Sequence, residues 1–146
     1  NQIRVIGGAY GGFCRFNESG NFYFASYRDP NLKETLENID GSVEFLKDFS
    51  PSDEKMRRFI IGTISNMDRP RSPEQEGSTA LNFYLTKTSK GEVQEIRNQV
   101  LSTNKQDIKE MASFVEKILN ESAICVYGNE DKLESQKELF NKTFAL

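Results

Sequence analysis

Arg4 and Tyr10 are the two side chains of this 146-residue sequence whose types and spacing could act together on a substrate. They belong to the stretch "RVIGGAYGG", which places Gly7, Gly8, Gly11 and Gly12 within six positions. On a straight strand the two would face the same side roughly 20 Å apart, at ~3.3 Å per residue. Glycine inside a strand weakens it and marks a bulge, a bend or the close approach of another backbone. A bend at Gly7-Gly8 can therefore bring a guanidinium and a phenol toward a shared point. Arg offers a rigid fork of donors and Tyr one hydroxyl donor. Such a pair suits a carbonyl oxygen, or the oxyanion that forms when water attacks it. A surface Arg and a packing Tyr beside a glycine-rich bulge is the plainer reading, and the residues alone leave both open.

Other chemistry is sparse. The chain contains no histidine, which removes Ser-His-Asp and Cys-His catalysis and every imidazole-bound zinc site. Glu74 with Glu76, and Glu130 with Asp131, are carboxylate pairs in first-turn positions, where acids complement a helix dipole. Lys55-Met56-Arg57-Arg58 reads as a solvated helix face, and no P-loop, dinucleotide fingerprint or zinc-ribbon spacing occurs. Nineteen Lys and Arg against 22 Asp and Glu leave a net charge of −3, which speaks against a nucleic-acid partner. No apolar run approaches a membrane span. Cys14 and Cys125 both lie in strand-like apolar stretches and are expected to be buried free thiols.

The elements that must position Arg4 and Tyr10 follow from periodicity and punctuation. Ile3, Val5 and Ile6 before the glycines, and Phe13, Cys14 and Phe16 after them, predict strand. Asn17-Glu18-Ser19-Gly20-Asn21 is turn chemistry, so a hairpin is expected from about Gly12 to Tyr27. Asp29-Pro30 reads as an N-cap before a helix carrying Leu32, Leu36, Ile39, Val43, Leu46 and Phe49. Ser50-Pro51-Ser52-Asp53 repeats the device for a helix toward Met67, which Pro70 cannot continue. Gly62 inside that helix suggests close packing against a neighbour. Further helix starts stand at Ser72-Pro73-Glu74-Gln75, Ser89-Lys90-Gly91-Glu92 and Thr103-Asn104-Lys105-Gln106. "AICVY", Ala123 to Tyr127, predicts a buried strand that rejoins the hairpin, and Asn129 caps a last helix. The fold class expected is α+β over residues 1–146 as a single domain: a small, mainly antiparallel sheet with helices packed on one face. Three strands are few for this length. Because the chain opens at Asn1-Gln2-Ile3 with no initiator Met or signal segment, it is expected to be a piece of a longer protein.

At this level of detail a resemblance emerges. "RVIGGAYGGFCRF…FYFASYRDPNLKETLE", "DRPRSPEQEGSTA" and "AICVYGNEDKLE" together resemble the C-terminal region of the pitrilysin/insulinase family of zinc peptidases, in particular the presequence proteases and their bacterial relatives. Arg4-x5-Tyr10 with its glycines, followed by Tyr27-Arg28-Asp29-Pro30-Asn31, is the most specific part. The resemblance implies a pitrilysin-like metallohydrolase half-domain, the C-terminal non-metal part of a larger peptidase. Zinc would be bound outside this chain, in an N-terminal half bearing H-x-x-E-H, whose Glu is general base to zinc-bound water. Arg4 and Tyr10 would reach across a closed chamber to a small unfolded peptide, bind its backbone and stabilise the oxyanion. The implied partners are the zinc-bearing half and the peptide, with no nucleic acid or membrane. Exposed apolar surface on an excised piece makes pairing of two copies an expectation as well. Alternatives are a metal-free scaffold or chamber-partner subunit of the same fold, or a module that adds an extended peptide to a sheet edge. The Lys-, Asn- and Glu-rich composition leans to a bacterial, cytoplasmic protein, with an organellar matrix as the alternative. Lacking histidine, this chain on its own is expected to be inactive. Incubated with zinc and an unstructured peptide it should give no cleavage products by mass spectrometry, and chelator-sensitive turnover by the pure chain would refute the expectation.

Overall fold

A computed structural model describes residues 1–17, 20–121 and 123–144. They gather in two compact units, Asn1–Phe45 with Ala112–Leu146, and Leu46–Met111. The class is α+β: a two-stranded antiparallel sheet and a series of helices. No helix of the described residues is long and apolar enough to cross a membrane.

In the first unit, strands β1 (Gly11–Phe16) and β2 (Phe22–Tyr27) form the expected hairpin, in register from Gly11 opposite Tyr27 to Phe16 opposite Phe22. Asn17 N–H donates to the Asn21 carbonyl at 2.9 Å across the hairpin's end, while Glu18 and Ser19 of the expected turn lie outside the described residues. The rings of Phe16 and Phe22 meet at 4.3 Å, and Phe114 of helix α6 (Lys105–Glu121) stacks on Phe16 at 5.7 Å. Such aromatic pairs add about 0.5–1.5 kcal/mol beyond the area they bury. Ala9, Val43, Ala112 and Val115 are buried in this unit, with Thr35 as a buried polar side chain.

The apolar run before the glycines is not a strand. Gln2–Ile6 makes a π-helical turn, in which the Asn1 carbonyl accepts from Val5 N–H at 2.8 Å and Ile6 N–H at 3.1 Å. Gly7 N–H closes the turn on the Gln2 carbonyl at 2.7 Å. β-branched residues favour strand only where neighbours give them a pleated surface, and here the turn's own backbone groups satisfy one another. The "AICVY" stretch also departs from expectation. Residues 123–129 form no strand, and Ile124 and Tyr127 are exposed. A run of β-formers becomes a strand when another strand takes its N–H and C=O groups, and no described residue does so. Cys14 and Cys125, expected to be buried, are both exposed free thiols, although desolvation by its surroundings pushes the Cys14 pKa up.

The helix starts are the most faithful part of the reading, with shifts of a residue or two. The first helix breaks at Gly41 into α1 (Leu32–Asp40) and α2 (Ser42–Lys47). Asn31, not Asp29, occupies its N-cap position. In the unit Leu46–Met111, α3 (Asp53–Met67) is capped by Ser52 and not by Ser50; the Ser52 hydroxyl accepts from Lys55 N–H at 3.3 Å. Helices α4 (Pro73–Thr86) and α5 (Lys90–Ser102) carry full capping boxes, Ser72 with Gln75 and Ser89 with Glu92. Asn104 caps α6 through Gln106 N–H at 2.8 Å, and α7 (Glu130–Glu134) begins after Asn129, as expected. Helices α3 and α5 pack together, with Arg97 of α5 paired to Asp68 at the end of α3. Gly62 of α3 was expected to mark close packing, but a Cβ built there meets nothing within 4 Å.

Neither unit closes over its apolar side chains. Val5, Ile6, Phe13, Phe45, Phe59, Tyr84 and Leu85 are all exposed. The accessible surface is 11865 Å² for 16.7 kDa. Two separate compact bodies sharing that mass would together expose about 9,200 Å². Both units thus leave bare what a compact protein of their size covers.

The two capping boxes differ in one atom type that matters at low pH. The Glu92 carboxylate accepts from Ser89 N–H at 2.6 Å, and this bond, with the Ser89 hydroxyl, holds its pKa below the ordinary value. Its contribution to folding is therefore complete above the ordinary Glu pKa of about 4.3 and is lost as pH falls through the lowered folded value. Gln75 makes the same bond to Ser72 N–H at 3.0 Å without a charge. Glu92→Gln should keep the helix content at pH 7 and shrink the loss of melting temperature between pH 6 and pH 3, measured by circular dichroism; an unchanged acid loss would refute the assignment.

Candidate functional site

The candidate site is the loop from Arg4 to Tyr10, and a second segment, residues 27–31, holds it. Arg4 lies within the π-helical turn with its side chain exposed. Tyr10 lies just before β1 and is 70% exposed. The expected kink is real, though a helical turn makes it. Ala9 N–H donates to the Ile3 carbonyl at 3.2 Å. Because those groups adjoin residues 4 and 10, the bond keeps the two Cα atoms within about 11 Å by standard backbone dimensions, where a straight strand would set them roughly 20 Å apart.

Two glycines make this path possible. A Cβ on Gly7 would sit 2.7 Å from the Ile3 carbonyl oxygen and 3.1 Å from that of Gln2. Gly8 has φ +77°, in the left-handed region that side chains resist. Pro30 packs beneath it, its Cγ 3.8 Å from where a Gly8 Cβ would stand.

The second segment touches the loop along its length. Asn31 Nδ2 donates to the Gly7 carbonyl. Tyr10 N–H donates to the Arg28 carbonyl at 3.4 Å, extending the hairpin ladder by one bond. The Tyr10 and Tyr27 rings meet edge to face at 5.9 Å, and the Arg28 guanidinium lies 5.5 Å over the Tyr27 ring. Arg28 itself has φ +47°, uncommon for a residue with a side chain. Asp29 braces the clasp from below: Oδ1 accepts from Asn31 N–H at 2.9 Å, and Oδ2 from the buried Thr35 hydroxyl at 2.7 Å. Lys132 of α7 donates to the Pro30 carbonyl at 3.2 Å. Neither Arg4 nor Arg28 is paired with a carboxylate among the described residues.

Chemically this is a donor site. Arg4 presents a permanently charged fork and Tyr10 a phenolic O–H, both open to solvent. Among the described residues no group of three or more His, Cys, Asp or Glu could hold a metal ion. A recess of about 650 Å³ is lined by Leu46–Met111 residues such as Asp53, Met56, Arg57 and Lys105 and by neither candidate. Reading the sequence singled out Tyr27 to Asn31 but took Asp29-Pro30 as a helix start. The bond from Asn31 to Gly7 spans 24 residues and leaves no local pattern.

Gly7→Ala should cost about 1–3 kcal/mol in urea unfolding, because its new methyl group meets fixed carbonyls. Gly62→Ala, in open space on a helix, should instead gain up to about 1 kcal/mol. Equal effects of one sign would contradict the geometry.

Comparison with known proteins identifies related sequences. The family model described as PreP C-terminal domain matches residues 1–130. The chain is 40% identical over 141 residues to Protein HypA of Clostridium perfringens, covering 97% of this chain and 14% of that protein. It is 38% identical over 133 residues to Presequence protease 1, chloroplastic/mitochondrial, of Arabidopsis thaliana, covering 90% of this chain and 12% of that protein. A mitochondrial presequence protease of Emericella nidulans is 33% identical over 137 residues, with 92% and 13% covered. The chain thus spans about one seventh or less of the length of these relatives.

Proposed function

Since this chain belongs to the PreP C-terminal domain family, a family of peptidases, we propose that it is the substrate-engaging, metal-free part of a zinc endopeptidase that degrades small unfolded peptides. The observation that carries the reading is the clasped loop. It holds Arg4 and Tyr10 on one short turn, exposes both, and leaves the guanidinium without a carboxylate partner among the described residues.

In this reading Tyr10 O–H and the Arg4 fork donate to the substrate backbone, and their bonds strengthen as a peptide carbonyl gains negative charge. Preorganised donors of this kind are worth about 10²–10³ in kcat apiece, because they need no reorganisation when the charge appears. The side chains here do not fit a zinc ion of their own: the chain has no histidine, and no metal-holding cluster occurs among the described residues. The work assigned to this chain is therefore hydrogen-bond donation alone. Zinc and the residues that hold it belong, in this proposal, to an N-terminal half of the same protein. The bare apolar surface of both units supports a neighbour of that size, as does the small share of each relative that the chain spans.

The test is kinetic and uses the full-length protein. Arg4→Ala and Tyr10→Phe should each lower kcat on an unstructured peptide by about 10²-fold while KM moves only a few-fold. Activity within twofold of wild type in both variants, or a loss confined to KM, would overturn the role. The second outcome would point to simple peptide capture.

A further inference from the structure

Asn31 touches no substrate in the arrangement above, yet its side chain is aimed at the backbone on which Arg4 and Tyr10 stand. We propose that Asn31 is a positioning residue for that pair, acting through the Gly7 carbonyl, with Asp29 as the brace that orients it. The inference rests on the role proposed for Arg4 and Tyr10.

Three features give Asn31 this part and not a merely structural one. First, its amide bonds the hinge of the loop. Gly7 closes the turn that bears Arg4, and the same residue leads through Gly8 into Ala9 and Tyr10. A donor at the Gly7 carbonyl therefore sets where both side chains emerge. Second, Asn31 does not do the work usual for its place. It occupies the N-cap of α1, yet its side chain makes no cap bond there. Asn at an N-cap ordinarily accepts from the second or third helical N–H. Here that use is forgone and the amide turns to a residue 24 positions earlier. Third, Asp29 holds Asn31 from behind. Its carboxylate takes the Asn31 N–H and ties it to the buried Thr35 hydroxyl, so the backbone of residue 31 is fixed while its amide reaches Gly7.

Asp29, Arg28 and Lys132 stand about this clasp, and the chemistry needed at its centre is narrow. A carbonyl must receive an N–H donor, so an isosteric carboxylate at position 31 fails: it has nothing to donate and sets its charge against the Gly7 oxygen and beside Asp29.

Asn31→Asp in the full-length protein is the direct experiment. Hydrogen exchange should rise at least tenfold at the amides of Gly7, Ala9 and Tyr10, which the loop bonds protect, with the rest of the chain little changed. On an unstructured peptide kcat should fall about tenfold or more and KM less than threefold. In a background carrying both Arg4→Ala and Tyr10→Phe the same substitution should cost less than threefold, since a residue that acts through that pair has little left to misplace. Asn31→Ala, which removes the donor without adding charge, should show the same pattern in weaker form. Unchanged exchange at those amides sinks the inference whatever the activity. Raised exchange with kcat intact, or a full multiplicative loss on top of the Arg4→Ala and Tyr10→Phe background, also sinks it by showing a structural role only. If Tyr10→Phe and Arg4→Ala leave kcat intact, the functional reading is what fails, and with it this one; exchange alone would then describe a clasp and nothing more.

Discussion

One amide-to-carbonyl hydrogen bond, from Asn31 Nδ2 to Gly7 O, joins the two parts of the chain on which everything proposed here depends. On one side stands a turn too short to hold itself rigid. On the other stands the start of α1, anchored by the buried Thr35. An intramolecular hydrogen bond is worth about 0.5–1.5 kcal/mol net, and Asp29 accepts two on the anchored side. The bond to Gly7 carries that rigidity to the middle of the loop, between the Pro30 contact at Gly8 and the Arg28 carbonyl that holds Tyr10.

Such a clasp requires the chain to turn sharply twice, and both turns carry a conformational cost. Gly8 meets its turn at φ +77° with no side chain to strain. Arg28 meets the other at φ +47° with a full side chain, a conformation that costs of order 1–2 kcal/mol. What offsets it is visible: the Arg28 carbonyl accepts from Tyr10, its guanidinium covers Tyr27, and the following Pro30 and Asn31 arrive beneath the glycines. Strain held by its surroundings in this way is frequent where a site must be preorganised.

How much of this was legible beforehand depended on how local the cause was. The boxes at Ser72 and Ser89 and the cap at Asn129 rest on side chains reaching three residues along the chain, and the hairpin pairs two strands adjacent in sequence, so the sequence shows them directly. Ile3 to Ile6 carries the same β-branched pattern as a strand, and only the return of Gly7 to the Gln2 carbonyl decides for a helical turn. "AICVY" fails for want of a neighbour, which no periodicity can report. Arg4 and Tyr10 stand out by type and by their glycines. Their supports, Asn31 and Asp29, were hidden inside a plausible helix start, because Asp-Pro-Asn serves a cap and a long-range tie equally well.

The hairpin has a consequence for how the chain must be kept. Neither strand has a second neighbour among the described residues, so both rims present unmet backbone donors and acceptors. Strand β2, "FYFASY", is uncharged, free of proline and rich in aromatic residues, the composition of segments that stack into cross-β fibrils. Arg28, whose guanidinium lies over the Tyr27 ring at the strand's end, and Arg15, across the ladder on β1, are the charges beside it. A bare rim of that composition is the kind along which one polypeptide can pair with another. The same six residues that complete the hairpin thus set how readily separate copies of the chain would stick together.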